Sequence, residues 1–400
     1  MAYDAADKKI EQTLSTYRER LAEIGGNFAR YKDTEPSLTR IPDEISALNG
    51  IRGINFYGHE LEDISAIVTL TELKSLTLCQ MYAVDLSPIS KLTKLEELRI
   101  ARFSIHDLSF LTPLKNLRTL SLEGLPRNPE RVIFHLGALR KMRRIEDLTI
   151  TGATLRDVDA ISRLSRLKRI YIGDTGINAI SFLSGLRRLE RVTLYEPQLA
   201  DSGPLSRKPN LEELTLVDNQ VRELSAITTS DKLRKLDVHG TQITDIAPLS
   251  NLPVLRDINA NHCPICDLSG WNTKSRVRVL RLSGTKVSDI RPLSGTRLSG
   301  LDLSDTPISD LSGLSALPNL TGLSINRTHV DSFDEILRNP SLLPNGDTRE
   351  MDYRDANAHW FGFVDTPLAA SSAWLTEIST SRDALAALKE HFKIASPSRD

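Results

Sequence analysis

The sequence predicts an α/β solenoid, right-handed, in which short strands from successive coils stack into one parallel concave sheet and the chain returns over a convex side of 3₁₀ turns. Two observations carry this expectation. An apolar pattern recurs every 22 residues from Ile51 to about residue 340, and the return path in so short a unit leaves no room for a full helix. Taking the first apolar residue of each unit as a marker, units start at Ile51, Leu73, Leu95, Leu117, Ile145, Leu167, Leu189, Leu211, Leu233, Leu255, Val277, Leu298 and Leu320, and all but two of the steps are 22 residues. A coil of this kind buries its apolar face only against its neighbours, so function is expected on repeated exposed positions rather than in a deep cleft.

Each unit reads as Leu-x-x-Leu-x-Leu, an inward small or polar residue, then further apolar positions, as in Leu233, Leu236, Val238, Thr241, Ile243, Ile246 and Leu249. Around Leu-x-Leu the chain is expected to be a strand with alternate residues inward and outward, and strands about 4.8 Å apart make a sheet about 60 Å long. The return path carries Ser in most units (Ser65, Ser87, Ser109, Ser181, Ser225, Ser269, Ser312), in places followed by Pro (Pro88, Pro248, Pro292). That is the chemistry of a short capped turn. The inward polar position holds Asn219 once, Thr at 175, 241, 285, 306 and 328, and Cys263, and it reads as a structural ladder satisfying backbone groups.

Three segments frame the array: an N-terminal helical cap at 1–37, the repeats at 38–340, and a C-terminal cap at 341–400. Ile10, Leu14, Tyr17, Leu21 and Ile24 form an apolar stripe on a helix over 4–24 that ends at Gly25-Gly26. A docked cap is favoured over a dimerisation helix, because an isolated helix of this length is marginal and the first coil needs its open face covered. The unit starting at Leu117 is 28 residues long, and its extra segment, near 126–142, reads as a helix with Val132, Leu136 and Leu139 on one side. Beyond Asn339 a polar loop precedes a strand-like stretch at Trp360, Phe361 and Phe363 and two short helices, the last starting at Ser381.

The run Leu236-Asp237-Val238-His239-Gly240-Thr241-Gln242-Ile243-Thr244-Asp245-Ile246-Ala247-Pro248-Leu249 resembles leucine-rich repeats of the short internalin-like and SDS22-like class. The Ser-Gly-Thr-Lys-Val-Ser-Asp-Ile run at 283–290 is similar to bacterial cytosolic members. The resemblance spans about three quarters of the chain and implies the fold; members bind unrelated partners, so it implies no particular function.

Composition narrows the function classes. Lys plus Arg (51) balances Asp plus Glu (52), which gives no global drive toward nucleic acid or a membrane surface. Three cysteines, at 79, 263 and 266, are too few for a secreted disulfide framework. No apolar stretch is long enough to span a bilayer, and the charged N-terminus lacks the apolar core of a signal peptide, so a cytoplasmic monomer is the expectation. No nucleotide-binding glycine loop, His-Glu-x-x-His helix or nucleophile elbow occurs, so neither an enzyme nor a cofactor is expected. Cys263-Pro264-Ile265-Cys266 is one redox-like or zinc-like string, but Cys263 falls on the inward ladder and no second Cys pair is present.

The expected partner is another protein, bound on the concave face. One outward row runs Asn55, Thr77, Arg99, Ser121, Thr149, Tyr171, Thr193, Thr215, Asp237, Asn259, Arg281, Asp302, Ser324; its neighbour includes Glu123, Thr151, Gly173, Tyr195, His239 and Asn261. Tyr171 and Tyr195 lie diagonally on adjacent strands, with Gly173 expected to leave a hollow beside Tyr195. Such aromatics are either interface anchors or the product of β-propensity alone. Asp237, His239, Asn259, Asn261 and Arg281 form a polar cluster that either specifies a partner or is an ordinary solvated ladder. The rival site is basic: residues 127–191 hold 14 Lys or Arg against 7 Asp or Glu, led by Arg140, Lys141, Arg143 and Arg144, and an anionic ligand or nucleic acid is the alternative partner there.

Overall fold

The computed structural model describes residues 28–32, 39–41, 43–57, 61–81, 85–103, 107–124, 132–332, 334–339, 341–342, 360–362 and 364–367. The chain divides into two compact units, 1–196 and 197–400. In the first, strands Phe28–Lys32, Gly53–Tyr57, Ser75–Met81, Glu97–Phe103, Thr119–Glu123, Asp147–Thr151, Arg169–Gly173 and Arg191–Tyr195 pair in parallel in that order. In the second, Glu213–Leu216, Lys235–Asp237, Asp257–Asn259, Val279–Arg281, Gly300–Asp302, Gly322–Ser324 and Trp360–Gly362 do the same. Equivalent residues sit opposite one another, as Leu76 with Leu98 and Leu236 with Ile258, and short 3₁₀ helices form the return side. Both units are leucine-rich repeat solenoid.

The inward positions are fully buried: Leu233, Leu236, Val238, Ile243 and Ile246 are all inaccessible to solvent. Coils are stitched by the backbone as well. Where most of the strands begin, two consecutive amides donate to one carbonyl of the preceding coil, as Lys74 and Ser75 do to Arg52 and Arg256 and Asp257 to Arg234. Four of the inward threonines satisfy backbone groups of their own coil. The hydroxyls of Thr241, Thr285, Thr306 and Thr328 donate to the carbonyl three residues earlier in their own coil, at 2.6–2.7 Å, closing the corner after the strand.

At that corner the residue just before the inward threonine, asparagine or cysteine takes a left-handed conformation. Asp174, Asp218, Gly240, His262, Gly284, Asp305 and Arg327 have φ between 52 and 68°. Glycine at 240 and 284 suits the corner and also leaves room for the preceding coil: a Cβ there would meet Asp218 Oδ1 at 2.1 Å or His262 Nδ1 at 2.2 Å, and that side chain would have to move. The unit starting at Leu189 breaks the rule with Glu196-Pro197. A residue before proline is driven toward extended backbone, and Glu196 does not take the left-handed turn. Its side chain points inward instead. The buried carboxylate accepts from the Thr175 amide (2.8 Å), the Thr175 hydroxyl (2.6 Å) and the Gly176 amide (2.9 Å) of the preceding coil.

The return turns are capped by aspartate rather than serine. Asp63, Asp85, Asp107, Asp201, Asp245, Asp267, Asp289 and Asp310 each accept the amide of the residue two further on, at 2.7–2.9 Å. The expected capping serines stand at the first turn position, where Ser87, Ser109, Ser269 and Ser312 donate their hydroxyls back to that carboxylate. A charged acceptor satisfies an orphan turn amide more strongly than a hydroxyl does.

Two expectations need correction. Residues 28–32, within the segment read as a helical cap, are a strand that pairs with Gly53–Tyr57 and forms the first strand of the sheet. In the long unit, the expected helix is a strand, Ile133–His135, followed by a 3₁₀ helix, Leu136–Lys141. The strand pairs with Thr154–Arg156, and buried Phe134 stacks on Phe103 at 5.0 Å between ring centroids. Alternating burial around Phe134 thus has a strand period, and the apolar residues read at helical spacing divide between strand and turn. The strand-like stretch at Trp360 is confirmed over Trp360–Gly362, with Phe363 outside the described residues. The helices expected over 4–24 and from Ser381 also lie outside them.

Two measurements test this coil. Leu236→Ala or Leu303→Ala should each cost about 2–5 kcal/mol in a chemical-denaturation experiment, because each opens a void in a core one side chain deep; an unchanged midpoint contradicts the register. Stability should also depend on pH in two opposite senses. The capping carboxyls of Asp85, Asp107 and Asp310 are held below the ordinary range by the serine hydroxyl and then the amide they accept from, so their contribution is present at neutral pH and is lost as pH falls through their folded values. Burial pushes the Glu196 carboxyl up against its three donors. The folded state therefore holds that proton more tightly than the unfolded chain, and acidification from neutral pH toward the ordinary Glu value stabilises it. Glu196→Gln should abolish that rise while leaving the loss at lower pH, since an amide nitrogen facing a donor forfeits one bond whatever the pH.

Candidate protein-binding face

Strand length controls what each face presents. In the second unit Asp237, Asn259 and Asp302 accept the backbone amides of His239, Asn261 and Ser304 at 3.0–3.3 Å. These side-chain turns compete with the ladder, and the three strands that carry them end at the outward Asx residue. In the first unit the same position holds Asn55, Thr77, Arg99, Ser121, Thr149, Tyr171 and Thr193, and strands run five to seven residues. The longer strands fix a further outward position, as at Thr151, Gly173 and Tyr195.

On that surface, pairing places Thr149, Tyr171 and Thr193 in one row and Thr151, Gly173 and Tyr195 in the next. Tyr171 and Tyr195 are 38% and 39% exposed; with Val68 they are the exposed large hydrophobic side chains among the described residues. Their ring centroids are 5.7 Å apart with planes tilted by 40°. The hollow expected over Gly173 is occupied. Tyr171 leans across it, so that a Cβ on Gly173 would lie 3.5 Å from the Tyr171 ring and 3.3 Å from Tyr195 Cβ. Glycine here lets the two rings meet. Partial burial, with Tyr195 and Glu123 nearby, raises the Tyr171 phenol above its ordinary value and keeps it a donor.

The open space lies on the other side of Tyr171. A shallow hollow of about 390 Å³ is lined by Arg99, Thr119, Ser121, Asp147, Thr149, Arg169, Tyr171, Arg191 and Thr193, with the backbone of Leu148 and Ile170 strands beneath. Arg169 clasps Asp147 through Nε and Nη2, the latter at 2.7 Å. Ser121 is buried and donates to Glu123 at 3.0 Å. Arg99 is exposed and makes no hydrogen bond or ion pair among the described residues. The sequence reading placed Arg99 in the outward row but did not single it out; the 22-residue recurrence of Asp147, Arg169 and Arg191 one step earlier was the available signal.

The polar cluster of the second unit is occupied with its own coils. Asp237 and Asn259 hold turns, Asn261 accepts the Ser283 amide at 2.8 Å, and Arg281 pairs with Asp257 at 2.7 Å. His239 and His262 meet edge to face at 5.1 Å. The basic residues are spread apart from the tyrosines: Arg140 and Lys141 end the 3₁₀ helix Leu136–Lys141, and Arg143 and Arg144 occupy the turn before Asp147–Thr151. Arg140 pairs with Asp159 at 3.1 Å, and Arg144 donates to Asn116 at 2.8 Å. Cys263 is buried on the ladder, 3.3 Å from the Thr241 hydroxyl and 3.1 Å from the Val238 carbonyl, and burial raises its thiol. Among the described residues no group of three His, Cys, Asp or Glu is placed to hold a metal ion, and no helix is long and apolar enough to cross a membrane.

No protein-family model and no curated protein sequence matches the chain. Solved structures are similar in fold. An internalin of Listeria monocytogenes superposes with a TM-score of 0.65 at 23% identity, covering 81% of this chain and 89% of that one. A leucine-rich repeat protein of Leptospira interrogans gives 0.65 at 16% identity, covering 90% and 88%. The ectodomain of the plant membrane receptor kinase GASSHO1 from Arabidopsis thaliana, solved in complex with Casparian strip integrity factor 2, gives 0.61 at 18% identity, covering 84% of this chain and 41% of that one. Together with the 22-residue coil and its parallel inner sheet, these likenesses identify the fold as a short-repeat, internalin-like leucine-rich repeat solenoid.

Proposed function

We propose that this chain is a non-enzymatic interaction module, an adaptor or regulator, that binds a partner protein on the concave face of its first unit. The observation that carries the reading is the Tyr171–Tyr195 pair. Two rigid, amphipathic rings stand exposed and in contact on a sheet whose other outward residues nearby are short, with an open hollow alongside. Burying such rings yields much of the energy of a typical interface at small entropic cost. The self-satisfied cluster Asp237, His239, Asn259, Asn261 and Arg281 is a weaker contributor, because contact there must compete with turns already formed. A reducing, cytoplasmic location suits the exposed thiol of Cys266, unpaired among the described residues.

The rival reading, an anionic ligand or nucleic acid on the basic segment, draws on Lys141 and Arg143, whose charges have no bonded partner among the described residues, while Arg140 and Arg144 are engaged locally. Affinity capture from a native lysate supplies the partner, and calorimetry then separates the two. Tyr171→Ala with Tyr195→Ala should weaken that complex by at least about 2 kcal/mol with little change in melting temperature. Reversal of Arg140, Lys141, Arg143 and Arg144 to Glu should leave it intact. The opposite pattern, accompanied by a steep fall of affinity with salt, replaces the concave face with the basic one.

A further inference from the structure

The hollow beside Tyr171 is lined almost entirely by hydrogen-bond donors. Arg99, Arg169 and Arg191 contribute guanidinium groups, and Thr119, Thr149 and Thr193 contribute hydroxyls. Its one lining carboxylate, Asp147, is already clasped by Arg169. Arg99 is left with its N–H groups directed at nothing in the described protein, on a face where its row neighbours Ser121 and Thr149 are too short to shield it. We propose that this hollow receives an aspartate or glutamate side chain from an extended segment of the partner protein, with Arg99 pairing its carboxylate and the Tyr171–Tyr195 rings holding a neighbouring apolar side chain. This deepens, and rests on, the reading of the concave face as a protein-binding surface.

Spacing defines the segment further. Arg99 and Tyr171 occupy the same row three strands apart, a span of about 14 Å at 4.8 Å per strand. An extended peptide crossing the strands repeats its side chains on one face every two residues, about 6.7 Å. The acidic and apolar residues should therefore stand four apart, or two apart where the Arg99 side chain reaches inward. The charge of the site selects the anion. Glu97 lies two residues before Arg99 on its strand, and Glu123 lies on the adjoining strand, so the rim offers one unengaged guanidinium rather than a strongly positive field. A singly charged carboxylate suits that arrangement; a phosphate dianion would meet both glutamates.

The test uses the full-length protein and a phage-displayed library of random linear peptides. The expected result is enrichment of Asp or Glu two or four residues from an aromatic or aliphatic residue. A soluble peptide of the enriched sequence should lose about tenfold or more in affinity against Arg99→Ala, consistent with loss of one charge-assisted pair, and should recover part of it with Arg99→Lys. Because Arg99 is exposed, the melting temperature serves as the folding control. The same peptide with its acidic residue changed to Gln should bind the native protein and Arg99→Ala equally weakly, whereas a phosphoserine replacement should bind no better than the glutamate. Enrichment without acidic residues, or acidic peptides indifferent to Arg99→Ala, overturns the carboxylate pocket; if such peptides still depend on Tyr171 and Tyr195, the concave-face reading survives it. Tighter binding of the phosphoserine peptide overturns the choice of anion. A selection that yields no peptide sensitive to Arg99 or to the tyrosines overturns both readings.

Discussion

Every other feature of this protein depends on one requirement: a coil of about 22 residues must close on itself while its strand amides pair with the coil before it. The buried ladder of leucines supplies the apolar energy, but only between neighbours, so each coil is stable because an equivalent one lies beside it. Closing so short a loop leaves two places where backbone groups would be orphaned, the corner after the strand and the start of the return turn. The chain spends its polar inward residues at the first, where threonine hydroxyls return to their own coil, and its aspartates at the second. These groups recur because the two gaps recur.

Departures from the repeat then acquire physical meaning. At Glu196-Pro197 the proline denies the left-handed corner, and a buried carboxylate takes over the closure by accepting three bonds from the coil before. In the long unit the added chain forms a second small parallel pair rather than a helix, and in it Phe134 stacks on Phe103. Both are local solutions to the same closure problem.

The closure chemistry also partitions the concave surface. In the second unit Asp237, Asn259 and Asp302 turn back onto their own backbone and Arg281 is held by Asp257, leaving a polar but preoccupied surface. In the first unit the longer strands keep Thr149, Tyr171 and Thr193 outward in one row. The proposed recognition surface lies on the first unit because fewer of the outward side chains around Tyr171 are already bonded.

The period, the inward leucines and the outward rows were legible from the amino-acid sequence, because a 22-residue unit with alternating burial admits only one stacking register; Thr149, Tyr171 and Thr193 pair as the spacing demands. Tyr171 and Tyr195 could be placed on one face for the same reason. Side-chain direction was beyond it. Whether Tyr171 leaned over Gly173 or away, whether Asp147 was free or clasped by Arg169, and whether Asp237 faced a partner or its own backbone depend on which neighbour each group reaches in space. The same holds for the aspartate caps, whose donors are fixed by turn geometry, and for the long unit, where Val132, Leu136 and Leu139 stand at helical spacing while Phe134 between them stacks on Phe103 from a strand. Sequence determined the coil and the face on which most repeat residues stand; tertiary structure decided which of them are already bonded, because that competition is settled by side-chain direction within a coil and against the coil beside it.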